Sequence, residues 1–295
     1  MRHLLFIFGL LSACISDYDL GKDLPPEDTQ DSDTAFTIDI PEDTDIPDTD
    51  EETIGDSPVA VCSVDPVEVT PPFETATFYG RDSYDPAGMN IVTWDWSLVT
   101  QPNGSASFLA ATSPWEREVT PDLAGQYIAR LVVETSDGRR SDPVDCSVDA
   151  VPGDNLWIEM YWVHNGDDMD LHLIRPNGNE RTNGDCYYAN CTTAFGGSGL
   201  EWGNAGSADN PALDIDDIPG TGPENINIAE PSLSGMYRVM VHDYPGSVYQ
   251  PANDVTVNIY IGGVLMWNDT RTISGEDSDN DYAGVNWPQR TVTSL

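Results

Sequence analysis

Gln126-Tyr127-Ile128-Ala129-Arg130-Leu131-Val132-Val133-Glu134 decides the fold class. Read at period two, Tyr127, Ala129, Leu131 and Val133 share one face, as a half-buried strand requires, and no helical spacing organises the run. Ser136-Asp137-Gly138-Arg139 then turns the chain. Outward from this strand, residues 58 to 151 hold short alternating segments between turn signals, the pattern of an all-β sandwich. Trp94 and Trp96 flank Asp95, so both indoles fall on one face, assigned to the core. Residues 154 to 295 form a second β-rich unit, with strands predicted over Leu156 to Val163, Met169 to Ile174, Met236 to His242 and Val255 to Ile261. Asp168-Met169-Asp170-Leu171-His172-Leu173 alternates strictly, with Met169, Leu171 and Leu173 inward and the polar set on the other face. Pro176-Asn177-Gly178 marks a hairpin. Trp267 and Trp287 are expected to bring the chain after Gly262 back onto the same core, giving a jelly-roll-like or similar sandwich.

The chain has 295 residues, 51 acidic and 12 basic, and a net charge of -39. That length fits two domains with extra segments. The charge argues against nucleic acid as a partner, because phosphate binding is driven by Lys and Arg displacing counterions. It argues equally against an anionic membrane face. The one long apolar run, Leu4 to Leu11, is far short of the roughly 20 residues of a membrane-spanning helix. Arg2 and His3 before it and Leu11-Ser12-Ala13-Cys14 after it read as a signal peptide over residues 1 to 13. Residues 15 to 57 carry 16 Asp and Glu with repeated Pro and Thr, a composition that cannot offset its ordering entropy by apolar burial. Residues 14 to 57 are therefore expected to be a disordered, extended acidic tether. An alternative role for the tether is to buffer calcium or grip a basic partner.

Three resemblances attach to these residues. The short signal ending in Leu11-Ser12-Ala13-Cys14 resembles a bacterial lipoprotein signal with its lipobox, which implies cleavage before Cys14, a diacylglycerol on its thiol and a membrane contact through that lipid alone. Ile15 stands where some enteric lipoproteins carry an inner-membrane retention Asp, so the pattern points to the outer membrane or cell surface. Gly80-Arg81-Asp82-Ser83-Tyr84-Asp85-Pro86-Ala87-Gly88, followed by Ile91 to Leu98 and by Pro121-Asp122-Leu123-Ala124-Gly125-Gln126-Tyr127, resembles a PKD domain. That implies an immunoglobulin-like module that spaces or binds; Met89 departs from the usual pattern. Asp168 to Leu173, Pro176-Asn177-Gly178, Leu213-Asp214-Ile215-Asp216-Asp217, Gly222-Pro223-Glu224-Asn225-Ile226, Gly235 to Val239 and Val241-His242-Asp243-Tyr244 are similar to the YfaP-like domain of unknown function, over roughly residues 156 to 262. An insertion, Gly196 to Pro211, separates its halves.

With Cys14 lipidated, four cysteines remain in an exported, oxidising setting. Three pairings are possible. Cys62 with Cys146 would tie the ends of the first unit, and Cys186 with Cys191 would close a short polar loop; this pairing is the expected one. A zinc site is the weaker reading, since neither pair has C-x-x-C spacing.

Calcium takes about six to eight oxygen ligands, and the second unit gathers carboxylates in two places. Asp168 and Asp170 share one strand face, while Asp214, Asp216, Asp217, Glu224 and Asn225 occupy a Gly-Pro-rich loop that could close over it. Desolvating several carboxylates together is costly without a cation. Asp168, Asp170, Asp214, Asp216, Asp217 and Glu224 are thus the candidate metal set. The plainer reading, carboxylates that cap turns and face water, is the one the sequence favours. Glu276-Asp277-Ser278-Asp279-Asn280-Asp281 loosely resembles an EF-hand loop but lacks its glycine and terminal bidentate Glu, and is expected to be a solvated loop. His164, His172 and His242 form a remote candidate zinc trio.

No G-x-S-x-G, H-E-x-x-H, P-loop or dinucleotide fingerprint occurs. The expected function is a non-catalytic, surface-anchored lipoprotein that presents a binding or adhesion module to an unknown glycan or protein ligand. Alternatives are a calcium-dependent carbohydrate-binding module and a hydrolase of envelope glycans, whose carboxylate separation sequence does not supply.

Overall fold

The computed structural model describes residues 56–192, 199–218 and 220–295, all within one compact unit, Thr53–Leu295. The signal peptide, Cys14 and nearly all of the tether lie outside the described residues, as does the first part of the insertion. The fold is all-β, two sandwiches in sequence, as the alternation over residues 126 to 134 predicts.

The first sandwich runs β1 (Ser63–Asp65), β2 (Glu68–Val69), β3 (Ala76–Tyr79), β4 (Ile91–Thr100), β5 (Ala110–Ser113), β6 (Glu116–Val119), β7 (Gly125–Thr135) and β8 (Val144–Ala150). One sheet has the order β1-β3-β6-β5 and the other β2-β8-β7-β4. Tyr127, Ala129, Leu131 and Val133 are all fully buried, so one face of β7 is continuous core, shared with Phe78, Val119 and Val148. Trp94 and Trp96 do share a face but are half-buried at the rim: Trp96 lies 6.3 Å from Phe78, and Trp94 packs edge-on to Trp115 at 5.9 Å. Cys62, just before β1, is bonded to Cys146 of β8, with Cα atoms 6.0 Å apart. Because β1 and β8 belong to different sheets, the bond staples the two layers.

The second sandwich runs β9 (Leu156–Trp162), β10 (Met169–Ile174), β11 (Asp185–Cys186), α1 (Tyr188–Cys191), β12 (Ala212–Ile215), β13 (Glu224–Ile228), β14 (Gly235–Asp243), β15 (Asn253–Ile261), β16 (Val264–Ile273), β17 (Ser278–Trp287) and β18 (Thr291–Ser294). Its sheets have the orders β12-β13-β9-β15-β16 and β11-β10-β14-β17-β18, and every pairing between these strands among the described residues is antiparallel. The predicted strands are present. Trp287 enters the core and Trp267 packs against it, so the last three strands complete both sheets.

Three expectations change. Pro176-Asn177-Gly178 is a turn with Asn177 at φ 58 and a Gly178 N–H to Arg175 C=O bond of 2.8 Å, but it sits inside a longer connection from β10 to β11. The run Glu276 to Asp281 is only half loop, because β17 begins at Ser278 and its carboxylates face cations: Asp279 meets Arg181 at 2.6 Å and Asp281 meets Arg238 at 2.9 Å. The polar face of β10 does not meet water. Asp170 and His172 are as buried as Leu171 and Leu173. The chain from Arg175 to Cys191 doubles back over them, with Tyr187, just after β11, stacked on His172 at 5.0 Å, and the Cys186–Cys191 bond holds that segment with Cα atoms 5.1 Å apart.

Where the sandwiches meet, Glu159 of β9 is fully buried; its Oε1 accepts from the Ala124 N–H at 2.7 Å and from the Trp157 Nε1–H at 3.1 Å. Phe73 meets Trp157 edge-on at 6.4 Å. Gly104, at φ 82, lies so close to Tyr161 that a Cβ there would overlap the ring.

Candidate metal centre

β10 places Met169, Leu171 and Leu173 in the core and turns Asp170 to the other face. β11 pairs only with Leu173 and Ile174, which leaves the outer edge of β10 open at Leu171. Glu224 closes that gap from the opposite sheet. It lies on the same face of β13 as the core residues Ile226 and Ile228, and its Oε2 accepts from the Leu171 N–H at 2.8 Å. Glu224 is 1% exposed and Asp170 2%.

Asp216 is brought over this pair by the loop after β12. Asp217 Oδ2 accepts from the Gly222 N–H at 2.8 Å, and the Trp162 indole N–H donates to the Gly220 carbonyl at 2.8 Å, so the loop is tied to itself and to β9. Gly222 has φ 80 and lies against the β9 backbone, where a side chain would not fit. One ligand oxygen from each of Asp170, Asp216 and Glu224 lies within 4.8 Å of the others.

Asp168 Oδ1, Asp170 Oδ2, Asp216 Oδ1 and Glu224 Oε1 are all buried without a hydrogen-bond partner among the described residues. Buried polar atoms are almost always paired, and an unpaired one costs roughly 1–3 kcal/mol, more when charged. Four together are a concentration of unmet acceptors, relieved only in part where Asp216 and Glu224 can share a proton. Burial, reinforced by the charges of Asp168 and Asp216, pushes the Asp170 carboxyl up to about 8. Burial with the charges of Asp216, Asp167 and Asp217 raises Asp168 to about 6. Glu224 is raised well above the carboxylate range, by burial first and then by the charge of Asp170. Arg181 acts weakly on Asp170 from a distance, but its guanidinium is held by Asp279.

Of the predicted metal set, Asp170, Asp216 and Glu224 converge, and Asp168 stands beside them, near enough for its charge to act on Asp170 and Glu224. Asp217 is beside them, with one oxygen committed to Gly222. Asp214 is elsewhere: its Oδ2 accepts from the side-chain amides of Asn225, at 3.1 Å, and Asn227. The reason is a register shift between Leu213 and Ile215, which breaks the alternation linking Asp214 to Asp216. The favoured reading of carboxylates facing water is overturned for Asp170 and Glu224 by their burial.

The histidine trio is not assembled. His164 stacks on Tyr249 at 4.7 Å, while His172 and His242 lie 6.1 Å apart, with Nδ1 atoms bound to Asp185 and Asp279. The sequence reading missed the aromatic wall beside the carboxylates: Tyr187, Tyr188 and Tyr244 follow one another edge-on at 5.3 and 5.7 Å. The pair Tyr187-Tyr188 next to Cys186 was the available signal.

No protein-family profile matches this chain, and no curated protein does. Among solved structures it is similar to the solution structure of the PKD domain from KIAA 1837 protein, at 27% identity over 32% of this chain and 88% of that chain, with a TM-score of 0.27.

Proposed function

We propose that this chain is a non-catalytic envelope lipoprotein whose second, YfaP-like sandwich is a calcium-dependent binding module, carried on a PKD-like spacer and an acidic tether from a lipid on Cys14. The observation that carries the reading is the set of four buried carboxylate oxygens without hydrogen-bond partners, from Asp168, Asp170, Asp216 and Glu224. A hard divalent cation satisfies such oxygens together and removes the repulsion between them. Calcium fits an all-oxygen donor set with neither sulfur nor imidazole in it.

Thermal unfolding of the full chain, with Cys14→Ser to keep it in solution, tests the cation. Calcium at about 100 times its dissociation constant should add about 2.7 kcal/mol, which raises the midpoint by roughly 5–10 °C. Chelator should reverse the rise and Asp170→Asn should abolish it. A midpoint indifferent to calcium would sink the metal reading. The anchor has its own test: the native chain should take up labelled fatty acid and fractionate with membranes, and Cys14→Ser should release it. Unchanged fractionation of the variant counts against lipidation.

A further inference from the structure

A cleft opens beside the carboxylate cluster, and we infer that it receives a neutral saccharide whose adjacent hydroxyls complete the coordination of the cation. This rests on the calcium reading above and names its ligand. The cleft encloses about 210 Å³ and is lined by Asp168, Ile218, Tyr244, Ser247 and Val248 among others. Asp168 belongs to both places. It lines the cleft, and its buried, unpartnered Oδ1 and its charge belong to the cluster formed by Asp170, Asp216 and Glu224.

Coordination leaves room for a ligand. Calcium takes about six to eight oxygens, and Asp170, Asp216 and Glu224 present one unpartnered oxygen each, with Asp168 a fourth at the cleft wall. The remaining positions fall to water or to oxygens that enter through the cleft.

Charge selects among entrants. Three carboxylates around one divalent cation, with Asp168 beside them, leave the locus net anionic, and the chain as a whole carries -39. A carboxylate, phosphate or sulfate is therefore disfavoured, whereas a hydroxyl pair brings two oxygens and no charge. The walls fit the rest of such a ligand. Ile218, Tyr244 and Val248 are 58%, 39% and 91% exposed, an apolar lining next to a carboxylate cluster. The C–H face of a pyranose packs on such a surface while its hydroxyl edge reaches the metal. Tyr244 is held in place, because its N–H donates to the Asp168 carbonyl at 2.9 Å and its ring meets Tyr188 edge-on at 5.7 Å. The Ser247 hydroxyl stays nearby, donating to the Tyr244 carbonyl at 3.1 Å.

The test uses the full chain with Cys14→Ser, first titrated calorimetrically with calcium alone. Methyl mannoside, methyl galactoside, methyl fucoside and N-acetylglucosamine, with sialic acid as the anionic control, are then presented in saturation-transfer NMR with calcium or with chelator. At least one neutral sugar should show transfer in calcium and none in chelator, and sialic acid should show none. Tyr244→Ala and Val248→Ser should each weaken the sugar, the former by tenfold or more, with the calcium titration unchanged. Calcium binding with no neutral sugar bound, or sugar binding untouched by Tyr244→Ala, would overturn this inference and leave the calcium site standing. No calcium binding would overturn both.

Discussion

The two sandwiches handle buried acid in opposite ways. In the first, Asp85 is nearly inaccessible, yet Arg139 grips both its oxygens, at 3.1 and 2.7 Å, while Arg130 holds Asp145 and Arg140 holds Asp95. In the second, Arg181 and Arg238 serve carboxylates nearer the surface, Asp279, Glu180 and Asp281, while Asp170 and Glu224, both buried, have no arginine among the described residues at hydrogen-bond distance. The contrast teaches that acidity alone does not locate a site in so acidic a chain. What distinguishes the cluster is that several buried carboxylate oxygens without partners gather within reach of one another.

The largest expected effect sharpens the contrast from the first sandwich's side. Cys62 and Cys146 are 84 residues apart, and loss of a cross-link over such a loop costs about 4 kcal/mol in the chain-entropy account. Cys62→Ala with Cys146→Ala should unfold the first sandwich well before its neighbour in a denaturant series followed by site-resolved hydrogen exchange. Loss of Cys186–Cys191, with a separation of only 5, should cost about 2 kcal/mol and act locally, by loosening the segment over His172. Equal effects from the two would break the comparison.

Next comes a reversal of sign. In chelator, Asp170→Asn removes a carboxyl that must either keep a proton or bury a like charge, and should leave the second sandwich as stable or more stable; in calcium the same change removes a ligand and should destabilise it. Calcium-dependent calorimetry on the one variant reads both. Destabilisation of equal size in both conditions would mean that Asp170 acts as a structural hydrogen-bonding group.

Acid titration separates the two regions a third way. Asp168 at about 6 and Asp170 at about 8 stand above their unfolded values, so in chelator the folded second sandwich holds the extra protons. The stability they support is present below about pH 4 and is lost as pH rises through 6 to 8. In the first sandwich, Arg139 holds Asp85 below the usual carboxylate value and Arg130 does the same for Asp145. Their contribution is present above about pH 4 and lost as pH falls through the depressed values. Opposed slopes below and above neutrality, with calcium flattening only the second, are expected in stability curves resolved by region.

Much of this was legible in the sequence, for identifiable reasons. Period-two alternation over Tyr127 to Val133 and Met169 to Leu173 gave the strands, because one face of each is core. Asp168, Asp170, Asp216 and Glu224 were within reach, because carboxylates two apart on a strand opposite a Gly-Pro loop can meet. Asp214 was not separable from them, since a bulge leaves no mark in composition. The burial of Asp170 and His172 depended on a connection folding back from Arg175 to Cys191, a long-range event that alternation does not encode. Glu159 was silent for the opposite reason: one acid in Leu156-Trp157-Ile158-Glu159-Met160-Tyr161-Trp162 reads as the polar face of a strand, whereas it is the hydrogen-bond acceptor between two sandwiches.

Glu159 also supplies the smallest effect. Its burial is as complete as that of Glu224, but it is a lone carboxylate whose Oε1 meets two donors, the Ala124 N–H and the Trp157 indole, while its Oε2 is unpaired among the described residues. Burial raises it to about 7 and those hydrogen bonds oppose the rise, so it is neutral in mild acid and ionises as pH passes 7. Its folded value lies above the unfolded one; stability from this group is therefore present at low pH and declines as pH rises through about 7. Glu159→Gln keeps an acceptor oxygen for Ala124 and cannot ionise. It should match the native chain at pH 5.5 and exceed it at pH 8.5, with calcium making no difference to that gap. A gap that depends on calcium would mean that Glu159 communicates with the carboxylate cluster through β13, where Asn225 pairs with Glu159 and adjoins Glu224. An invariant gap would keep the lone acid at the junction and the clustered acids beside the cleft as independent devices.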